Sequence, residues 1–180
     1  PPGHAARHRV GTPLYAGGVS DLRVGEDGLA RCGWVGDDPE YRRYHDEEWG
    51  RPLRGDRPLF EKMSLEGFQA GLSWITILRK RPRFREAFAG FDPEKVAAFG
   101  EADVERLMAD AGIVRNRAKV LATIGNARLV GAMAPGEFDE FMWSFAPDAR
   151  PTAERPAAFA DVPAVTAASD ALSKALKKRG

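Results

Sequence analysis

"ERLMADAGIVRNRAKVLATIGNA", residues 105–127, reads as helix, tight turn, helix. Gly112 permits a left-handed turn between the two segments. The backbone N–H groups after it, and the positive end of the second helix, then face outward. Arg115, Arg117 and Lys119 stand around them, which makes a ready anion site. An ordinary αα-hairpin with a solvated basic end accounts for the same residues, and both readings stay open. The two helices fit roughly 102–110 and 116–130.

Outward from that stretch the punctuation stays helical. Asp38-Pro39 and Asp92-Pro93 each pair a capping side chain with a proline at the first helical position. Asp56 is expected to cap a helix running through Phe60, Met63, Gly67 and Ala70, and Ser73 a short one beginning at Trp74. Further helices fit 137–145 and 168–179. Glycines 50, 90, 100 and 112 sit where helices would end. Strand-like runs are scarce, so the expected fold is a compact, multi-helix, all-α domain.

With 180 residues, 43% hydrophobic and 29% charged, the chain suits one soluble domain of residues 31–180. Residues 1–30, rich in Gly, Pro and Arg, show no helical or strand period and read as a flexible extension. The Pro- and Ala-rich 147–165 reads as a linker. No apolar run is long enough for a membrane span, and no secretory leader is expected. A single cysteine, Cys32, excludes an internal disulfide and suits a reducing cytoplasm. Net charge is only +1, yet basic residues cluster at 79–85, 115–119 and 174–179, which keeps a polyanion partner open.

Three groups of residues could carry chemistry. Glu66 lies on the edge of an apolar stripe beside Gly67, with Gly71 and then Trp74 just beyond. It reads either as a surface glutamate paired with Lys62, or as an acceptor-only group beside a notch that admits a flat ligand. Tyr41, Tyr44, His45 and Glu48 follow i, i+3, i+4, i+7 and share one helix face. With Trp34 they form either a packed stripe or an aromatic wall with polar tips. Cys32 and His45 are zinc-ligand types, but on spacing alone they read as packed residues.

"RCGWVGDDPEYRRYHDEEWG", "LEGFQAGLSWITILRKR", "DAGIVRNRAK", "IGNA" and "SDALSKALKKRG" together resemble the bacterial DNA-3-methyladenine glycosylase I family of helix-hairpin-helix repair enzymes. The resemblance runs from about Arg31 to Gly180. It implies a cytoplasmic, monomeric hydrolase acting on double-stranded alkylated DNA, which flips out 3-methyladenine, breaks its N-glycosidic bond and leaves an abasic site. Glu66 then reads the base edge as the catalytic carboxylate. Trp74 stacks on the base, and Trp34, Tyr41 and Tyr44 surround it. Gly112, Arg115, Arg117 and Lys119 grip the DNA backbone, although Val114 stands where the superfamily turn has a second glycine. Cys32 and His45 match two of four structural zinc ligands, the other two being a His and a Cys beyond Gly180; no catalytic cofactor is implied. The alternative is a non-enzymatic helix-hairpin-helix module that binds nucleic acid and releases no base.

Overall fold

A computed structural model describes residues 22–147 and 161–180. The described elements are β1 (Leu22–Val24), β2 (Ala30–Cys32), α1 (Pro39–Glu47), α2 (Asp56–Gln69), α3 (Trp74–Ala87), α4 (Pro93–Ala97), α5 (Glu101–Ala109), α6 (Arg117–Gly131), α7 (Glu137–Trp143) and α8 (Ala167–Arg179). Short 3-10 turns stand at Gly33–Val35 and Ala89–Phe91. The all-α expectation holds. None of the described helices is long and apolar enough to cross a membrane.

The expectation of an extension without strand over residues 1–30 needs correction at its end. Residues 22–32 form an antiparallel hairpin, with Leu22 opposite Cys32 and Val24 opposite Ala30. Three-residue strands are too short to show a period in sequence. Residues 1–21 lie outside the described part, as does most of the stretch read as a linker.

The chain divides into two compact units, one holding the described residues up to Gly50 together with 161–163, the other those from Arg51 to 147 together with Ala164–Gly180. In the first, the Arg31 guanidinium pairs with Asp27 in the hairpin turn at 2.6 Å and with Asp46 on α1 at 2.7 Å. One buried cation thus ties the hairpin to the helix. Its bonds to both carboxylates hold Asp27 down at a pKa of about 2 and pull Asp46 below the usual carboxylate range.

The second unit is built on phenylalanines. Phe60, Phe68, Phe84, Phe88, Phe91 and Phe138 are fully buried, with Phe88 and Phe91 stacked 5.4 Å apart and Phe68 4.7 Å from Phe84. α2 packs against α3, α6 and α7, and α4 lies along α6. The turn into α4 takes Ala89 and Phe91 to φ of 50° and 53°, unusual for residues with side chains. Burial of the Phe91 ring holds that backbone in place.

Asp38 and Asp92 cap as the sequence indicates, accepting from Tyr41 N–H at 3.0 Å and Lys95 N–H at 3.3 Å. Asp56 does not. It sits one residue inside α2, after Gly55 at φ 94°, and its carboxylate reaches the N-terminus of α7, taking the N–H groups of Gly136 (2.7 Å) and Asp139 (2.8 Å). Asp139 returns the favour to α2 by accepting the Gly55 N–H at 2.6 Å, and it pairs with Arg54 at 2.9 Å. Two helix N-termini therefore exchange carboxylates. Ser73 bonds the Thr76 hydroxyl at 2.8 Å instead of a backbone N–H, and the helix it precedes runs 14 residues, through Pro82. Gly100 opens α5, where it was expected to close a helix.

Candidate active site

α2 presents Lys62 and Glu66 one turn apart, half-exposed on the same face. After α2 the chain reverses through Gly71, whose φ of 83° only glycine adopts readily, and α3 begins at Trp74. This short turn brings the Trp74 ring under the Lys62 ammonium. Nζ lies 3.9 Å from the ring centroid and 2.8 Å from Glu66 Oε1. A carboxylate, a cation and an aromatic face are therefore stacked at one point.

The two glycines beside Glu66 do different work. Gly71 serves the turn. Gly67 has no such need, since it is helical and a Cβ there would meet nothing within 4 Å. Its cost in helix propensity, about 1 kcal/mol relative to Ala, is offset by no packing inside the protein. The surface next to Glu66 is left bare. Glu66 is paired with Lys62, one of the two readings the sequence offered, and the glycine beside it leaves that helix surface uncovered.

Lys119 supports this corner from α6. Its Nζ donates to the carbonyls of Phe68 (2.9 Å) and Ala70 (2.7 Å), filling acceptors left over at the C-terminal end of α2. It was expected on the DNA backbone; its charge is used inside the unit, holding the helix end between Glu66 and Trp74. Arg117 is likewise engaged, with Glu105 at 2.6 Å and with Glu101. Those α5 carboxylates raise its pKa further above the ordinary value. An arginine on α6 that faces an acidic α5 pairs there before it meets solvent.

The turn between α5 and α6 differs from the expected one as well. Gly112 is not left-handed. It is needed for space: a Cβ would lie 2.5 Å from Arg83 Cγ and 3.0 Å from Asp110 Oδ1. Asp110 organises the turn, accepting from Gly112 N–H at 2.8 Å and from Arg83 Nε at 2.7 Å. Burial works to raise the pKa of Asp110, but the Gly112 amide and Arg83 outweigh it and hold the group below its ordinary value. Asn116 caps α6 by accepting the Lys119 N–H at 3.1 Å. Of the three expected cations, Arg115 is the one that, among the described residues, stands exposed without a carboxylate partner.

In the first unit, α1 aligns its rings as the spacing predicts. Trp34 packs edge-on to Tyr41 (4.9 Å), His45 (5.4 Å) and Trp49 (5.4 Å), and Tyr41 stacks on Tyr44 at 6.5 Å. Tyr44 is buried; burial, helped by Tyr44, raises the pKa of Tyr41. Trp49, four residues after His45, continues the same stripe past the helix end, one step beyond the residues read from the sequence.

Cys32 and His45 do meet. The Cys32 N–H points at His45 Nε2 at 3.4 Å, and Nδ1 is held by Asp46 at 2.9 Å. A carboxylate thus orients one nitrogen of His45 and the Cys32 backbone amide meets the other, which sets two residues of zinc-ligand type side by side. Among the described residues no cluster of three or more potential ligands exists.

Asp139 on α7 is a buried carboxylate, a type of group that can activate water. Both of its oxygens are committed, to Gly55 N–H and to Arg54, so its place is in the clamp between α2 and α7.

Residues 34–180 match the methyladenine glycosylase family. The chain is 54% identical over 154 residues to DNA-3-methyladenine glycosylase 1 of Escherichia coli K12, covering 84% of this chain and 82% of that protein. A crystal structure of 3-methyladenine DNA glycosylase I superposes with a TM-score of 0.77 at 50% identity, covering 83% of each chain. A variant of such an enzyme in complex with 3-methyladenine gives a TM-score of 0.73 at 37% identity, over 83% of this chain and 81% of that one.

Proposed function

The chain belongs to the methyladenine glycosylase family, and from the geometry of α2 and α3 we infer which residues carry that family's reaction in it. It is a DNA glycosylase of base-excision repair that removes 3-methyladenine from alkylated DNA by hydrolysing the N-glycosidic bond. The observation that carries the assignment of residues is the cation held between Glu66 and the Trp74 face. A place that holds an ammonium over a ring and against a carboxylate suits a flat cationic base.

Methylation at N3 leaves adenine positively charged while it is bound to the sugar. Cleavage of the bond from C1′ to N9 sends its electron pair into the ring, and the base departs neutral. A water oxygen joins C1′ and its proton passes to solvent. Such a leaving group needs little general-acid help, so positioning and electrostatic fit carry most of the rate. Trp74 stacks on the extruded base, and Glu66 accepts from its amino group. Guanine would set its O6 against Glu66, acceptor to acceptor, at a cost of about 1–3 kcal/mol. For Trp34, Tyr41 and Tyr44 the base-contacting role rests on the resemblance.

The α5–α6 turn with exposed Arg115 is the proposed grip on the phosphate backbone of the double-stranded DNA. Cys32 and His45 are the residues that would hold a structural zinc and pin the hairpin to α1, and no chemical step depends on that metal. A cytoplasmic, monomeric state belongs to the same proposal. Chromatography of bases released from methylated DNA tests the recognition scheme: 3-methyladenine should dominate, and a product dominated by 7-methylguanine would overturn it.

A further inference from the structure

Lys62 occupies the position that the proposed recognition scheme assigns to the base. Its ammonium rests on Trp74 and against Glu66, so ring and carboxylate already have a cation of the protein's own. A base can stack on Trp74 only by displacing it. We propose that Lys62 is an internal competitor for the base site, yielding to a cationic base and returning to expel a neutral one. The inference rests on the reading of Glu66 and Trp74 as the base-recognition pair.

The charge balance of the reaction gives the device its direction. Before cleavage the N3-methylated base is a cation and replaces the lysine charge for charge, so Glu66 keeps a positive partner. After cleavage the electron pair has gone to the base, which is neutral and leaves Glu66 with hydrogen bonds alone. Lys62, still tethered one helical turn away, then restores the ion pair and the ring contact. An undamaged, neutral adenine meets the same opposition on entry. The Lys62 and Glu66 side chains are 37% and 47% exposed, so their contact is weak enough to be broken and re-formed in each turnover. An i,i+4 ion pair and a cation–π contact, both made by a lysine partly open to water over the buried Trp74 ring, together correspond to about four- to tenfold in an equilibrium constant.

Inhibition of excision by added free 3-methyladenine reads this competition directly, on the whole chain with methylated duplex DNA. Lys62→Ala removes the competitor at a helical position that alanine suits. Product inhibition should become about four- to tenfold stronger, while Lys62→Arg, which keeps a cation there, stays close to the unaltered protein. Glu66→Gln serves as the control on the recognition scheme and should weaken inhibition. If Lys62→Ala leaves inhibition unchanged while Glu66→Gln weakens it, the competitor role falls and the base-reading role of Glu66 stands. If Glu66→Gln leaves inhibition unchanged, the recognition pair falls and the role of Lys62 with it. Equal thermal unfolding curves for the variants exclude loss of fold as the source of any difference.

Discussion

Glu66 acts through its charge more than its shape. Glu66→Gln keeps the size of the side chain and introduces donors where only acceptors belong. Single-turnover base release should fall about ten- to hundredfold, the worth of a charge-assisted hydrogen bond, with duplex affinity changed about twofold at most. Full single-turnover activity in the variant would return Glu66 to a surface ion pair with Lys62. Cys32 and His45 show what residue types reveal alone. Their spacing alone read as plain packing, while the fold brings the Cys32 amide to the His45 ring and sets Asp46 on its far nitrogen. Two ligands leave the remaining positions of a zinc ion to water. After dialysis against a mild chelator, the 180-residue chain should retain well under one zinc per molecule by elemental analysis. Stoichiometric retention would require further ligands.

At the scale of elements, α2 carries a residue that its stability does not explain. Gly67 is helical, bare of contacts and next to Glu66. Gly67→Ala should raise the unfolding free energy by about 0.4–1 kcal/mol, because alanine restricts the unfolded chain and fits the helix. The added methyl stands on the surface that the base or its backbone must approach. Base release should therefore fall even as the melting temperature rises, and a variant both more stable and fully active would remove Gly67 from the site. The helices themselves were legible from caps and periodicity, to within a residue or two at most ends. Three local readings failed because another group outbid the expected one. Asp56 turned from its own helix to α7, Gly112 answered to the Arg83 side chain, and Ser73 found Thr76. Each partner except Thr76 lies far along the chain, where no window of sequence reveals it.

For the whole molecule, the distribution of cations decides how DNA is met. Runs of Arg and Lys kept a polyanion partner open, but the sequence could not show which would be neutralised at home. Arg117 faces Glu101 and Glu105, and Lys119 closes the end of α2. Arg115 remains outward among the described residues. Arg115→Ala should therefore weaken binding to all duplexes alike and lower the slope of log affinity against log salt by about one. Arg117→Ala should lower the melting temperature and leave that slope nearly unchanged. Equal salt slopes for the two variants would contradict this division of labour.

The carboxylate exchange between Asp56 and Asp139 also sets an order of events during synthesis. The helix that bears Glu66 is written early in the chain, but Asp56 meets its partners only at Gly136 and Asp139, 80 and 83 residues later. At about 5–20 residues per second, the ribosome needs roughly 4–16 s to cover that distance. For this interval the start of α2 lacks the groups that lock it, and the lesion-reading surface stays unfinished until α7 has left the exit tunnel. A nascent chain stopped short of α7 is therefore an incomplete reader of damage, however well its first helices have formed.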